Sequence, residues 1–277
     1  MTRLAIDLFC GLGGWTEGLL AEGYYVVGFD IKRHEYGEHR YPAQLVLQDM
    51  LTLHGRQFKD AALIVASPPC QEFSYMAMPW TRAKQIAAGV KGEGDFPKSY
   101  TGSRTKAELT ALFNACFRIQ CEASEAAGHK IPLIVENVRG AQKWVGRAKW
   151  HYGSYYLWGD VPALMPIAGR LAGVKAGDRC KDKESGKWTT GWNVANARAY
   201  KNNGGSWFAV AHNTTSGHGR NPDGRKGQQF GWERNCPMRS NSSQSNSRKA
   251  ASAMIANIPF ALAQHIARVF KNGRPHD

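Results

Sequence analysis

The 277-residue chain has no long apolar run. A membrane-spanning helix needs about 18 or more consecutive apolar residues, so none is expected. The opening Met1-Thr2-Arg3-Leu4 runs straight into strand-like sequence, without the apolar core and small-residue cleavage site of a secretion signal. A cytoplasmic protein is expected. The six cysteines (Cys10, Cys70, Cys116, Cys121, Cys180 and Cys236) form no Cys-x-x-Cys pair, and no histidine pair has zinc-ligand spacing. Neither a disulfide framework nor a metal centre is expected. The third glycine of the dinucleotide fingerprint is also missing, because Thr16 stands where Gly-x-Gly-x-x-Gly requires it after Gly11 and Gly13.

The first half also lacks net charge. Residues 1–140 hold 15 Lys+Arg and 15 Asp+Glu, so the whole excess of +14 lies in residues 141–277. That half also carries seven of the nine tryptophans. A localised basic surface interleaved with aromatics is the electrostatic footprint of a polyanion partner, here a nucleic acid.

What is present is an alternation of strand and helix signals. Strands are predicted over Leu4–Phe9, Tyr25–Phe29, Leu45–Leu47, Ala62–Ala66 and Ile131–Val135. Helices are predicted over Trp15–Glu22 and Lys106–Ala127, with a short one near Trp80–Ala88. This is the pattern of an α/β fold: a mostly parallel, doubly wound sheet covered on both faces. From about 160 to 250 the sequence turns irregular and rich in Gly, Asn, Ser, Trp, Lys and Arg, and Asn241–Ser247 reads as a polar linker. Helical spacing returns over Ala250–Phe270. We therefore expect a catalytic domain of 1–160 plus 250–277, with 161–249 as a smaller, irregular second domain.

Ligands of such sheets bind beyond the carboxyl ends of the strands. The informative residues follow the strands directly: Cys10-Gly11-Leu12-Gly13-Gly14, Asp30, Asp49, Ser67-Pro68-Pro69-Cys70-Gln71 and Glu136-Asn137. A glycine turn with a carboxylate about 20 residues later fits a nucleoside cofactor that has no pyrophosphate. The prolines stiffen the chain and set Cys70 just past a strand end, where a reactive thiol needs to be. Glu136 emerges at the same edge. A carboxylic acid beside a nucleophilic thiolate suits attack on an electron-poor ring that is protonated as it is attacked.

Asp7–Gly14, Pro68-Pro69-Cys70-Gln71-Glu72-Phe73-Ser74 and Glu136-Asn137-Val138 resemble, in order and spacing, the first, fourth and sixth signature motifs of the DNA cytosine-C5 methyltransferases of bacteria and phages. Asn257-Ile258-Pro259 resembles the last motif, with Ala256 in its glycine position. The resemblance covers about 1–160 and 250–272. It implies the S-adenosylmethionine-dependent methyltransferase fold, no metal, a flipped cytosine from double-stranded DNA, and a monomer. It implies that Cys70 adds to C6 and that Glu136 protonates N3. Phe9, Gly11, Gly13, Gly14, Asp30, Ile31, Asp49, Met50, Pro69 and Asn257 would line the cofactor, and the long loop 71–104 would close over the base. Gln71, Ser74, Asn137, Arg139 and Arg147 are the candidates for the substrate side, with Asn137 also a support for the Cys70 loop.

One motif departs from the pattern. The family's eighth motif, Gln-x-Arg-x-Arg, corresponds to Trp150–Gly159, where Tyr152 and Ser154 occupy the arginine positions. Arg139, Arg147 or Lys149 are candidates to replace the missing charge. Asn193, Asn196, Arg198, Arg220, Arg225 and Arg234 are candidate base or phosphate contacts in the basic region. Two other readings are open: a tRNA cytosine methyltransferase on the same catalytic fold, and a catalytically silent DNA-binding module. Restriction–modification, phage self-protection and regulation are the biological settings open to such an enzyme.

Overall fold

A computed structural model describes residues 2–71, 73, 80–94, 105–152, 155–163, 165, 179–181, 188–190, 249, 253 and 256–272. The chain divides into Met1–Ile167 with Ile258–Asp277, and Ala168–Asn257. The first unit is built on a seven-stranded sheet. Its strands are β1 (Leu4–Leu8), β2 (Tyr25–Asp30), β5 (Gln44–Leu47), β6 (Ala61–Ala66), β7 (Leu133–Asn137), β8 (Trp150–Tyr152) and β9 (Tyr155–Gly159), in the order β5-β2-β1-β6-β7-β9-β8. The pairs β2–β5, β1–β2, β1–β6 and β6–β7 are parallel, while β9 runs antiparallel to both β7 and β8. The α/β, mostly parallel sheet expected from the sequence is what the chain forms.

Alternate residues of the central strands serve two cores, one on each face, because successive side chains of a strand point to opposite sides. Ile6, Leu8, Ile64, Ala66, Leu133 and Val135 pack with Phe113, Cys116, Ile119 and Ala123 of α3 (Lys106–Ala127). Ala5, Leu63, Val65 and Ile134 face Trp15 and Leu19 of α1 (Gly14–Ala21) and Leu262, Ala263, Ile266 and Ala267 of the last helix, Phe260–Asn272, here α5. This double burial is why the central strands read as largely apolar runs, with Asp7 inside β1 an exception. Gly18 lets α1 and α5 touch: a β-carbon there would come within 2.5 Å of Ala263 and the Gln264 nitrogen. Glu22 then ties the pair, accepting from Gln264 at 2.9 Å and Arg268 at 2.8 Å, while its carbonyl takes Lys271.

α3 has the predicted bounds because both ends are marked in the sequence. Thr105 and Glu108 form a reciprocal capping box, and Gly128 closes the helix in the left-handed conformation at φ 73°. Other boundaries moved for physical reasons. β1 stops at Leu8, since Phe9 takes a positive φ of 57°. β7 starts at Leu133, after Pro132, and runs through Glu136 to Asn137. The helix α2 extends over Trp80–Lys91. Asn257–Pro259 are not helical, and α5 begins at Phe260, because proline disfavours helix in the residue before it.

Two features were not anticipated. The crossover from β2 to β5 carries a small hairpin, β3 (Glu35–Tyr36) with β4 (His39–Arg40), instead of a helix. A short 4-residue helix α4 (Gln142–Val145) and the antiparallel strands β8 and β9 follow β7. In the second unit the described strands are β10 (Arg179–Lys181) and β11 (Trp188–Thr190), paired antiparallel. No described helix is long and apolar enough to cross a membrane.

Candidate active site

The strand order reverses between β1 and β6: β1 leads outward through β2 to β5, and β6 outward to β7. The crevice at such a switch point, beyond the carboxyl ends, is where doubly wound sheets bind ligands. The glycine turn leaves β1 on one side of it. Cys70 follows β6 on the other, and Glu136 is the penultimate residue of β7 next door.

The turn is a run of unusual backbone. Phe9, Gly11 and Gly13 all have positive φ, at 57°, 52° and 89°. Gly13 caps α1, and its nitrogen donates to the Cys10 carbonyl at 2.7 Å. A β-carbon on Gly11 would meet nothing within 4 Å, so the peptide there borders open space. Gly14 is buried at the start of α1.

Asp30, 8 % exposed at the end of β2, pins this turn. Its Oδ2 accepts from the Gly11 nitrogen at 3.0 Å, and its Oδ1 from the Lys32 nitrogen at 3.3 Å. The His34 ring lies 3.6 Å from Oδ1. Burial pushes the Asp30 carboxyl up, but hydrogen bonds from His34, Gly11 and Lys32 outweigh it and hold the group below its ordinary value. A carboxylate oxygen can accept more than one hydrogen bond, so Asp30 can serve a further donor. Ile31 beside it is 70 % exposed, an open apolar surface at the same edge.

The next loop is braced from behind. Asp49 closes its own turn, Oδ1 accepting from the Leu51 nitrogen at 2.9 Å. Met50 is 2 % exposed, so its side chain belongs to the core. Arg118 of α3 donates to the carbonyls of Met50 at 3.0 Å, Leu51 at 3.4 Å and Leu53 at 2.9 Å. Glu122 holds that guanidinium at 2.9 Å and accepts from the Gly55 nitrogen at 2.6 Å. One helical pair thus fixes residues 50–55. Sequence reasoning missed it, although Arg118 and Glu122 at i,i+4 were the available signal.

Cys70 is half-buried, between an exposed Pro69 and an exposed Gln71. It heads a turn in which the Phe73 nitrogen donates to its carbonyl at 3.0 Å. Phe73 is buried against Trp144, with ring centroids 6.2 Å apart. The three other described thiols are chemically muted. Burial pushes those of Cys10 and Cys116 far up, and the Glu125 carboxylate raises exposed Cys121.

β7 pairs with β6 through Ala66 opposite Val135, so Glu136, the next residue of β7, stands close to the start of the Cys70 loop. Glu136 is 8 % exposed. Asn137, fully buried, links the two: its Nδ2 donates to the Pro68 carbonyl at 2.9 Å, and its Oδ1 accepts from the Val138 nitrogen at 2.8 Å. Arg139, Arg147 and Lys149 are exposed on the connection from β7 to β8. Tyr155, which sequence reasoning passed over, starts β9 diagonally across from Glu136. Asn257 is half-buried, the last residue before Ile258. Ser74, Ser154, the side chain of Tyr152 and all six candidate contacts from Asn193 to Arg234 lie outside the described residues.

A family model for C-5 cytosine-specific DNA methylases matches residues 4–81, which is the family read from the motifs. Curated protein sequences give no match. Among solved structures, the chain is similar to a protein described as a DNA modification methyltransferase encoded within an E. coli prophage, at 21 % identity over 52 % of this chain and 35 % of that one, TM-score 0.33. It is also similar to the S. pombe Dnmt2 methyltransferase, at 15 % identity over 53 % of this chain and 37 % of that one, TM-score 0.32. The Entamoeba histolytica methyltransferase EhMeth shares 14 % identity over 53 % of this chain and 41 % of its own, TM-score 0.32. The chain spans between 35 % and 41 % of the length of these three structures.

Proposed function

We propose that this chain is a DNA cytosine-C5 methyltransferase that takes S-adenosylmethionine as methyl donor and uses Cys70 as nucleophile. The observation that carries the reading is the Asn137–Pro68 hydrogen bond. It fastens the strand end that carries Glu136 to the loop that carries Cys70, so acid and nucleophile are held as one unit.

The residues present fit the donor. The Gly11 peptide borders open space, Asp30 is a stabilised carboxylate for ribose hydroxyls, and Ile31 is an exposed apolar face for a purine. Phe9, Gly13 and Gly14 shape the turn, Asp49 and Met50 form the next loop, and Pro69 completes the set. When bound, S-adenosylmethionine supplies an electrophilic methyl group for C5.

In this reading a target cytosine is turned out of the duplex, at a cost of a few kcal/mol, because its ring edges are unreachable in the stack. The Cys70 thiolate bonds to C6 while Glu136 gives its proton to N3, which leaves C5 nucleophilic. After methylation, the C5 proton passes to water, the S–C6 bond breaks to release the Cys70 thiolate, and N3 returns its proton to Glu136, which restores the ring and both side chains. Asn137 keeps the Cys70 loop in place, and Gln71 and Ser74, which follow Cys70 in the sequence, serve the substrate. Arg139 and Arg147 are exposed cations for the phosphates around the extruded base. Residues 161–249 form the target-reading domain, and their basic surplus suits a duplex backbone. The protein works as a monomer in the cytoplasm of a bacterial or phage-infected cell.

The test is transfer of labelled methyl groups to genomic duplex DNA and, separately, to total tRNA. The expected result is label in DNA as 5-methylcytosine and none in tRNA. Label in tRNA alone would replace the proposal with the RNA enzyme. DNA binding with no transfer to either would leave the silent DNA-binding module.

A further inference from the structure

Glu136 is the buried acid of the candidate site, and its surroundings decide what else meets the base. The β7–β9 register sets Glu136 opposite Leu157 and Asn137 opposite Tyr156. Tyr155 therefore lies one residue beyond the paired end of β7, at the carboxyl edge where the Cys70 loop begins. Alternation puts Tyr155 and Leu157 on one face of the sheet, and Ile134 and Glu136 on that same face. The packing agrees, since Tyr155 lies against the cluster that contains Leu157 and Ile134. Residues diagonal across an antiparallel pair, as Glu136 and Tyr155 are, come within reach of an aromatic side chain. Tyr156, on the opposite face, stacks instead on His151, with centroids 4.9 Å apart.

We propose that Tyr155 is a further catalytic residue, its neutral hydroxyl donating a hydrogen bond to the C2 carbonyl oxygen of the extruded pyrimidine while Glu136 serves N3. This rests on the methyltransferase reading above. The chemistry asks for such a donor. As sulfur bonds to C6, the C5=C6 electron pair moves through C4 to N3, and N3 is joined directly to the C2 carbonyl. Until Glu136 has delivered its proton, negative charge is shared between N3 and that oxygen. A fixed donor aimed at developing charge stabilises the transition state more than the ground state. A tyrosine can do this without adding charge beside Glu136. Burial, and then the Glu136 carboxylate, push the Tyr155 phenol well above its ordinary range, so it keeps its proton and remains a donor. The phenol lends a hydrogen bond only, so it ends the cycle as it began.

The experiment compares the full-length wild type with Tyr155→Phe and Tyr156→Phe, measuring single-turnover methyl transfer to duplex DNA, S-adenosylmethionine affinity and Tm. Loss of one such donor lowers kcat on the order of 100-fold. Tyr155→Phe is expected to show that fall, with cofactor affinity and Tm within experimental error of the wild type. Tyr156→Phe should retain full turnover. Wild-type turnover in Tyr155→Phe would overturn the proposal while leaving the enzyme reading intact. So would a loss in Tyr155→Phe that parallels its cofactor affinity or Tm, or an equal loss in Tyr156→Phe. An inactive wild type would overturn the enzyme reading, and this assignment with it.

Discussion

Asp7 is a carboxyl in a place that does not favour one. It is 1 % exposed within β1, two residues before the glycine turn. One oxygen, Oδ2, accepts from Thr16 at 2.6 Å, and Thr16 in turn shares a 2.7 Å hydrogen bond with Tyr41. The other, Oδ1, has no hydrogen-bond partner among the described residues. Burial raises its pKa, the Thr16 hydrogen bond opposes that, and the charge of Asp30 adds to the rise, so it is pushed up from 3.8 to about 7. Each pH unit of difference between folded and unfolded chain is worth about 1.4 kcal/mol, so the full span amounts to roughly 4 kcal/mol. The folded protein holds this proton where the unfolded chain has released it. The contribution to stability is thus complete below about pH 4, shrinks as pH rises, and is gone above about pH 7. Asp7→Asn removes the titration. Urea unfolding at intervals from pH 5 to pH 8 should show the wild type losing about 2–3 kcal/mol more than Asp7→Asn over that window. Parallel pH profiles for the two proteins would refute the reasoning.

Three further outcomes follow from the packing. Gly18→Ala forces a methyl into the α1–α5 contact and should lower stability by about 1–3 kcal/mol despite alanine's better helix propensity, read as a fall in Tm. Asn137→Ala strands the Pro68 carbonyl and the Val138 amide, at about 1–3 kcal/mol for each buried group left unsatisfied, and should depress kcat more than it raises KM for S-adenosylmethionine. Arg118→Ala frees the 50–55 loop and should weaken S-adenosylmethionine binding several-fold in calorimetry, with the rate of the bound complex retained.

The sequence made the central sheet legible because its strands are buried on both faces and bounded by glycine and proline. The strand-end placement of Phe9–Gly14, Asp30, Cys70 and Glu136 followed from the same alternation. The hairpin of β3 and β4 escaped notice because two-residue strands carry no periodicity. β8 is a three-residue edge strand and β9 lies just inside it, and their many aromatic residues serve strand and loop equally well. Site residues whose meaning depends on distant partners were also hidden. Arg118 acts on carbonyls more than sixty residues upstream, with separations of 65 to 68. Tyr155 gains its place only once the β7–β9 register is known. Local chemistry such as a proline-flanked cysteine is written in neighbouring residues, whereas a tyrosine diagonal to an acid across two strands is written in strand pairing.

The covalent role of Cys70 is the central claim, and trapping tests it most directly. Duplex DNA with every cytosine replaced by 5-fluorocytosine blocks the final proton loss, so the S–C6 bond cannot be undone. With S-adenosylmethionine present, the wild type should form a complex with this DNA that survives denaturing electrophoresis, and Cys70→Ala should bind the same DNA without forming one. A denaturation-resistant complex of equal yield with Cys70→Ala, or none with a folded, cofactor-binding wild type, would contradict the account.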